Sequence, residues 1–292
     1  MSEPKDLTQL FESHRSHLRA VAYRMLGSAT EADDAVQEAW LRLNGSDSSE
    51  VRNLGGWLTT VVARVCLDML RSRKSRREET LDAEVTEPIA DTKSDPEQEA
   101  LLADSVGIAL LVVLDTLSPA ERVAFVLHDV FDLPFDEIAP IVDRTPDAAR
   151  QLASRARRRV RGGEIRSNSD IQSHRVVVDA FLGALRAGDF EGMLAVLDPD
   201  VLVRMDVPGA PGAPRELRGA ANWARGATAA FSRFARFVQP VLIDGRAGLV
   251  FAPGGRLSRA LTFTVTNGRI TEVEIITDRE RLKQLDLSVL NN

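Results

Sequence analysis

Residues 133–163 read LPFDEIAPIVDRTPDAARQLASRARRRVRGG. This stretch has the layout of a helix-turn-helix, in which a short apolar helix and a tight turn precede a second helix. Thr145 can cap that second helix, and Pro146 suits its first turn. In such motifs the second helix lies in the DNA major groove with its first residues near base edges. The sequence therefore predicts a DNA-binding helix here.

The outer face of the second helix carries the side chains that could contact DNA. Ala149, Leu152, Ala153 and Ala156 are expected to pack inward. Arginine and glutamine can form paired hydrogen bonds with guanine and adenine edges. The candidate DNA contacts are Thr145, Arg150, Gln151, Ser154, Arg155 and Arg158. A solvated helix that ends in capping arginines is the structural alternative.

Charge is distributed unevenly along the chain. The net charge of -6 by itself argues against a nucleic-acid-binding protein, because phosphate neutralisation needs lysine and arginine. However, one basic cluster lies within residues 64–77 and another within 150–166, and an acidic stretch separates them. Two basic patches thus flank an acidic segment, which is compatible with two DNA-binding parts on one chain.

The chain of 292 residues is long enough for two or three domains. Apolar residues at helical spacing predict two all-α domains, separated by a polar, acidic linker that Pro88 interrupts. The last third is expected to be α+β, because residues alternate from Val201 to Val207 and Asn267-Gly268 predicts a two-residue hairpin turn. The expected parts are 1–77, the linker 78–95, 96–163 and 170–287.

Several classes of protein are excluded by composition. An uninterrupted apolar run of about 18 residues, which a bilayer span requires, does not occur, and the N-terminus lacks a secretory pattern. The chain is therefore expected in the cytoplasm. Cys66 is the only cysteine, and the four histidines show no metal-ligand spacing, so we expect neither a metal nor a cofactor.

Four motifs together resemble the extracytoplasmic-function (ECF) sigma factors of RNA polymerase. They read ADDAVQEAWL at 32–41, WLTTVVAR at 57–64, LSPAER at 117–122 and RQLASRAR at 150–157. The resemblance covers about residues 7–163 in the family's order and spacing. It implies a helical region 2, a helix-turn-helix region 4, and RNA polymerase core and promoter DNA as partners.

The resemblance also implies roles for individual residues. Region 2 would bind polymerase through Asp33, Asp34, Gln37, Glu38 and Trp40. The next helix would hold the promoter -10 element through Trp57, Thr60, Arg64, Arg71 and Arg73. The candidate contacts on the helix-turn-helix would read the -35 element. The loop 44–56 matches in position the loop that holds a flipped -10 base.

Residues 170–287 resemble a SnoaL-like domain of the NTF2-like fold, a curved sheet wrapped by helices around a pocket. A subgroup of ECF sigma factors carries this domain after region 4, which implies a regulatory role and a small-molecule ligand in the pocket. Two of its motifs survive in altered form, as Asp244-Gly245-Arg246-Ala247 and as Asp278-Arg279-Glu280-Arg281-Leu282. The candidate regulatory residues are Asp244, Asp278, Glu280 and Leu282.

Two other functions compete with a sigma factor. One is a helix-turn-helix regulator whose SnoaL-like pocket senses a small molecule, which would bind DNA tightly without polymerase. The other is an enzyme fused to a DNA-binding module, with Asp206, Asp244 or His174 as its acid or base. His174 precedes an apolar helix and is expected at the surface, so we expect no catalytic residues.

Overall fold

The computed structural model describes residues 4–45, 53–79, 107–162, 169–206 and 215–290. The chain divides into two compact units, which are described separately. The first comprises Met1–Gly107 and Leu117–Arg157, and the second comprises Ile108–Thr116 and Arg158–Asn292. Most of the expected acidic linker and most of the loop 44–56 lie outside the described residues.

Helices make up most of the described chain before the sheet begins. The α-helices are α1 (Pro4–Leu26), α2 (Ala29–Gly45), α3 (Leu54–Glu79), α4 (Ile108–Asp115), α5 (Pro119–Phe125), α6 (Phe135–Ile138), α7 (Pro146–Arg161), α8 (Ser169–Ala187), α9 (Phe190–Val196), α10 (Ala220–Phe231) and α11 (Arg279–Gln284). A π-helical turn, Val126–Val130, continues α5. Within the described ranges, none of these helices has the length and apolarity that crossing a membrane requires.

One mixed sheet forms the second unit's framework. Its strands are β1 (Leu197–Met205), β2 (Arg215–Arg218), β3 (Val238–Ile243), β4 (Arg246–Phe251), β5 (Arg259–Thr266), β6 (Arg269–Ile276) and β7 (Leu287–Val289). Their order is β2-β1-β6-β5-β4-β3-β7, and β1 pairs with β6 in parallel while the other neighbours are antiparallel. The predicted turn at Asn267-Gly268 joins β5 to β6, with left-handed φ values of 53° and 73°.

The first unit is built on the packing of α1, α2 and α3 against one another. Their apolar faces supply a core in which Leu18, Val21, Met25, Val36 and Leu58 are at most 1% exposed. Within α1, Leu18, Val21 and Met25 recur every three or four positions, as expected of a helix that buries one face. The predicted amphipathic helices are confirmed.

The capping box predicted at Ser118 starts α5. The Ser118 hydroxyl oxygen accepts a hydrogen bond from the Glu121 backbone N–H at 3.4 Å. In return, the Glu121 carboxylate accepts one from the Ser118 backbone N–H at 3.2 Å. This exchange satisfies two backbone donors that a helix start otherwise leaves unpaired, so it fixes where α5 begins.

The core of the second unit lies between α8, α10 and the sheet. The ring of Phe181 on α8 stacks on Trp223 of α10, with centroids 5.1 Å apart and planes 7° from parallel. Phe263 of β5 contacts the same ring at 5.6 Å. The two helices are thus held on the sheet by aromatic packing.

The expected fold class is confirmed, since all-α segments precede an α+β domain with a seven-stranded sheet. The domain limits remain a prediction. Two details bear on them, because α3 continues to Glu79 and α4 belongs to the compact unit that contains the sheet.

Candidate nucleic-acid and polymerase interfaces

Helix α7 has the inner and outer faces that the sequence predicts. Thr145 caps it by accepting a hydrogen bond from the Ala148 backbone N–H at 3.3 Å. Ala149, Ala153 and Ala156 are fully buried, and Leu152 is 9% exposed. Because alanine is small, the inner face of the helix lies close to its neighbours. The polar residues lie on the opposite face, toward solvent.

The outer face of α7 contains both bound and unbound side chains. Arg150 forms an ion pair with Asp147 at 2.6 Å, and its guanidinium lies 5.2 Å from the Phe135 ring centroid. Arg155 donates to Glu121 at 3.1 Å, and that carboxylate side chain is only 9% exposed. Gln151, Ser154 and Arg158 are exposed and, within the described ranges, have no side-chain partner. These three side chains could therefore bind another molecule without first breaking a contact within the described protein.

The acidic side chains of helix α2 differ in whether they already pair with an arginine of the protein. Arg19 binds Asp33 through two hydrogen bonds of 2.7 and 3.2 Å, which tie α1 to α2. Asp34 is exposed and has no partner in the part of the chain that the structure describes. Glu38 pairs with Arg42 on the same helix at 2.9 Å. Of the α2 acids predicted to bind polymerase, Asp34 is therefore the one that no described residue engages.

An exposed apolar residue, Leu41, lies beside the remaining α2 candidates, and the sequence did not predict its exposure. Gln37 is exposed, and the Trp40 ring packs on Phe11 with centroids 4.8 Å apart. Leu41 is 57% exposed, although leucine normally lies inside a helical core. It follows Asp34 by seven positions and Glu38 by three, so it shares their helix face. Exposure of one leucine cannot be recognised from periodicity alone.

The predicted -10 residues on α3 fall into three environments. Trp57 is half-buried, and the Thr60 hydroxyl donates to the Gly56 carbonyl at 3.0 Å. Arg64 and Arg71 are exposed. Arg73 is different, because it donates to Glu31 at 3.0 Å and to the Leu26 carbonyl at 3.1 Å, and its side chain is 14% exposed. Its guanidinium fastens α3 to the start of α2.

Within the first unit, the exposed arginines of α3 lie against the turn of the helix-turn-helix. Arg64 donates to the Pro140 carbonyl at 3.4 Å, and Arg71 pairs with Asp143 at 3.5 Å. A cavity of about 380 Å³ lies at this junction. Its lining is Arg42, Arg64, Leu67, Asp68, Arg71, Ile141 and Asp143. In this chain the two arginines are therefore engaged by the protein itself.

Cys66 does not add chemistry to this junction. The thiol is fully buried, and desolvation raises its pKa above the ordinary cysteine range, although the charge of Arg122 acts in the opposite direction. A thiol that stays protonated is a poor nucleophile and a poor metal ligand. Cys66 is a core residue.

Asp206 forms the hydrogen-bonded corner at the end of β1. Its Oδ1 accepts from the Thr277 backbone N–H and hydroxyl, each at 2.6 Å, and its Oδ2 accepts from the Asp278 N–H at 3.2 Å. Arg281 adds an ion pair at 3.3 Å. Desolvation raises the pKa of Asp206, but the hydrogen bonds from Thr277 and Asp278 and the charge of Arg281 outweigh it and lower that pKa. An ionised, saturated carboxylate is a structural anchor.

Three predicted regulatory residues surround this corner. Asp278 caps α11 by accepting from the Arg281 backbone N–H at 2.9 Å. Glu280 pairs with Lys283 at 2.6 Å on the exposed side, and Leu282 is buried at 7% exposure. The altered terminal motif thus starts α11 at its cap and holds this helix in place through the buried Leu282.

The fourth predicted regulatory residue, Asp244, lies in the turn between β3 and β4. Its φ is 50°, a left-handed conformation that aspartate tolerates better than most residues. Its Oδ1 accepts from the Asp286 backbone N–H at 3.0 Å, and its own N–H donates to the Asp286 carbonyl at 2.9 Å. Asp244 therefore fastens the residue that precedes β7.

His174 is half-buried and hydrogen-bonded, whereas the sequence predicts a surface position. Its Nε2 lies 2.9 Å from the Phe263 carbonyl, so this nitrogen carries the proton, and Nδ1 has no partner among the described residues. The three residues considered for catalysis thus lie in three different places. Asp206 has all its hydrogen bonds filled at the end of β1, Asp244 binds the residue before β7, and His174 connects α8 to β5.

Family models match two parts of the chain. A model of Sigma-70 region 2 matches residues 10–76, and one of Sigma-70 region 4 matches residues 108–160. The probable ECF RNA polymerase sigma factor SigI of Mycobacterium tuberculosis is 39% identical over 208 residues, or 70% of this chain and 72% of SigI. The ECF RNA polymerase sigma factor SigJ of the same species is 42% identical over 202 residues, or 68% of this chain and 64% of SigJ.

Solved structures resemble the chain as well. The crystal structure of M. tuberculosis SigJ is 34% identical with a TM-score of 0.45, and the match covers 94% of this chain and 97% of that one. An NTF-2 like protein of unknown function from Burkholderia xenovorans is 16% identical with a TM-score of 0.29, over 41% of this chain and 87% of that one.

Proposed function

Because the chain belongs to the ECF sigma factors of RNA polymerase, which act in transcription initiation and are not enzymes, we propose that its C-terminal domain modulates this activity. As a sigma factor, the chain binds RNA polymerase core and promoter DNA. We place this function in the cytoplasm, where polymerase acts. The proposal concerns how a third domain controls the two sigma regions.

One observation supports modulation above all. The region 4 match begins at residue 108, where α4 begins, so α4 is the first described helix of region 4. This helix belongs to the compact unit of the C-terminal domain, where it contacts β3 and β7. A helix that region 4 shares with the C-terminal domain gives that domain a physical means of influencing region 4.

Truncation tests this proposal. A chain cut after Arg166 loses the surface that buries Leu111 and Leu114 of α4, which are at most 1% exposed. We expect reduced transcription from a cognate promoter, because each exposed leucine forfeits about 1.5–3 kcal/mol of burial and region 4 loses a firmly held helix. The chain that lacks residues from Asp278 onward is expected to follow the same direction, since β7 is removed.

In vitro transcription with polymerase core compares the full chain with both truncations. Equal activity of all three would contradict modulation. A rise on truncation would instead identify the C-terminal domain as inhibitory, which is modulation of the opposite sign.

We also propose which surfaces meet the partners. The α2 set around Asp34 would contact polymerase, α3 would hold the -10 element, and α7 would read the -35 element. Arg64 and Arg71 contact Pro140 and Asp143 in this chain, so they have to leave these partners before they can bind a promoter strand. We therefore propose that polymerase binding separates α3 from the helix-turn-helix.

For the -35 element, the sharpest test compares Gln151 with Arg158. Gln151→Ala is expected to cost about 1–3 kcal/mol at one base position and to relax the preference there, because a paired contact to a base edge is lost. Arg158→Ala should weaken all promoters about equally, since an arginine farther along the helix meets phosphate. Competition among single-base promoter variants measures both. If Gln151→Ala weakened every variant equally, the base contact would be ruled out.

A small-molecule ligand of the C-terminal domain is a second proposal. It is supported by His174, whose Nδ1 is a buried acceptor to which no described residue donates. A metabolite that offers an N–H or O–H would satisfy this nitrogen, because unpaired buried polar atoms are costly. A thermal-shift screen of the full chain against such donors, repeated with His174→Phe, tests it. A stabilising compound that acts equally on both proteins would exclude the His174 contact.

A further inference from the structure

Helix α4 has an unusual composition for a helix of a DNA-binding region. Its sequence, IALLVVLD, has no polar face, and Leu111, Val112, Val113 and Leu114 are at most 1% exposed. A helix that is apolar all round is stable only when other elements cover it. Within the second unit, β3, β7 and the turn Pro253–Gly255 contact α4. The strand pair β3–β7 is therefore part of its cover.

The other end of region 4 meets the same strand pair. Gly162 follows α7 with a φ of 73°, and a Cβ built there would lie 2.8 Å from Ser288 Oγ and 3.6 Å from Leu242 Cδ1. Ser288 of β7 pairs with Leu242 of β3. The chain thus leaves α7 through a glycine because its backbone approaches the strand pair too closely for a side chain.

Strand β7 is short and lies at the edge of the sheet. Among the described residues it pairs only with β3, through Leu287, Ser288 and Val289, so few backbone hydrogen bonds hold it. Just before it, Asp286 exchanges two hydrogen bonds with Asp244, one from each backbone N–H. A backbone N–H bound to a carboxylate is among the stronger hydrogen bonds, so Asp244 is well placed to hold β7.

We propose that the strand pair β3–β7 is an intramolecular docking surface for region 4, which receives α4 and the backbone at Gly162, and that Asp244 locks it by fastening β7. This inference rests on the proposed modulation and names its route. Asp244 acts as a positioning residue, since it binds Asp286, the residue before β7, and does not contact region 4 itself. Loosening β7 then loosens the first described helix of region 4.

Hydrogen exchange of the full chain tests the lock. Asp244→Gly removes the acceptor of the Asp286 N–H without straining the left-handed turn, whereas Asp244→Asn keeps an oxygen acceptor there. We expect Asp244→Gly to speed exchange about tenfold in both β7 and α4, as loss of one charged hydrogen bond allows, with Asp244→Asn close to the parent. Faster exchange in β7 with unchanged exchange in α4 would overturn the docking surface, and unchanged exchange in β7 would overturn the lock.

A second variant tests the surface without touching Asp244. Gly162→Ala puts a methyl group against Ser288, while Gly268→Ala imposes the same φ of 73° with nothing within 4 Å. Faster exchange of α4 and β7 in Gly162→Ala, partly reversed by adding Ser288→Ala, is expected, and Gly268→Ala should leave both unchanged. If Gly162→Ala and Gly268→Ala had equal effects, backbone strain alone would explain the faster exchange, and the contact between Gly162 and Ser288 would be refuted. Because exchange needs no polymerase, the docking surface can stand even if truncation leaves transcription unchanged.

Discussion

Replacing Asp34 and Glu38 together with lysine is expected to weaken association with RNA polymerase core about 100-fold. Asp34 is exposed without a partner in the described chain, and Glu38 is committed only to Arg42 on its own helix. Both share a helix face with the exposed Leu41, so charged groups would surround an apolar contact as they do in many protein interfaces. Two reversed charges at such a site cost about 3 kcal/mol.

Titration of labelled polymerase core with each variant measures this loss. The matched control reverses the same number of charges at Glu191 and Asp200, two exposed acids of the C-terminal domain. Binding that survives the α2 change, or that falls equally in the control, would remove Asp34 and Glu38 from the interface. Circular dichroism should be unchanged, because neither carboxylate ties α2 to another helix.

Asp206→Ala is expected to destabilise the C-terminal domain by about 3 kcal/mol. The substitution leaves the Thr277 backbone N–H and the Asp278 N–H without their carboxylate acceptor, and hydrogen bonds to a charged group are each worth about 1.5–3 kcal/mol. The Thr277 hydroxyl keeps the Asp206 backbone carbonyl as an acceptor at 3.2 Å. Urea unfolding of the full chain, followed by exchange at residues 276–284, measures the change. Asp206→Asn retains one oxygen and should fall between the parent and the alanine variant.

The same contacts predict a pH dependence. Burial by itself raises the pKa of Asp206, but hydrogen bonds from Thr277 and Asp278 and the charge of Arg281 bring it below the ordinary aspartate range. A lowered folded-state pKa means that the stabilisation is complete above the unfolded-state value of about 3.9 and is lost as the pH falls through the folded-state value. The stability difference between the parent and Asp206→Asn should therefore shrink on acidification below about pH 4. A difference that stayed constant from neutral to acid pH would contradict the ionised anchor.

Local sequence determined the elements that depend on short-range physics. Ser118 and Glu121 form the predicted capping box, and Thr145 caps α7 where the sequence places it. The turn at Asn267-Gly268 adopts its left-handed backbone, and the inward alanines of α7 are buried. The caps and the turn are complete within a few residues, and the spacing of the alanines marks the inward face of α7, so composition and spacing are sufficient to predict these features.

Tertiary structure alone decided what several polar residues do. Arg73 and Arg155 look like further members of basic clusters, but each is tied to a carboxylate, Arg73 to Glu31 and Arg155 to Glu121, 34 positions away. Asp206 resembles a catalytic candidate until Thr277, 71 positions later, saturates it. Side-chain pairing over such distances depends on how the chain returns on itself, which local spacing does not encode.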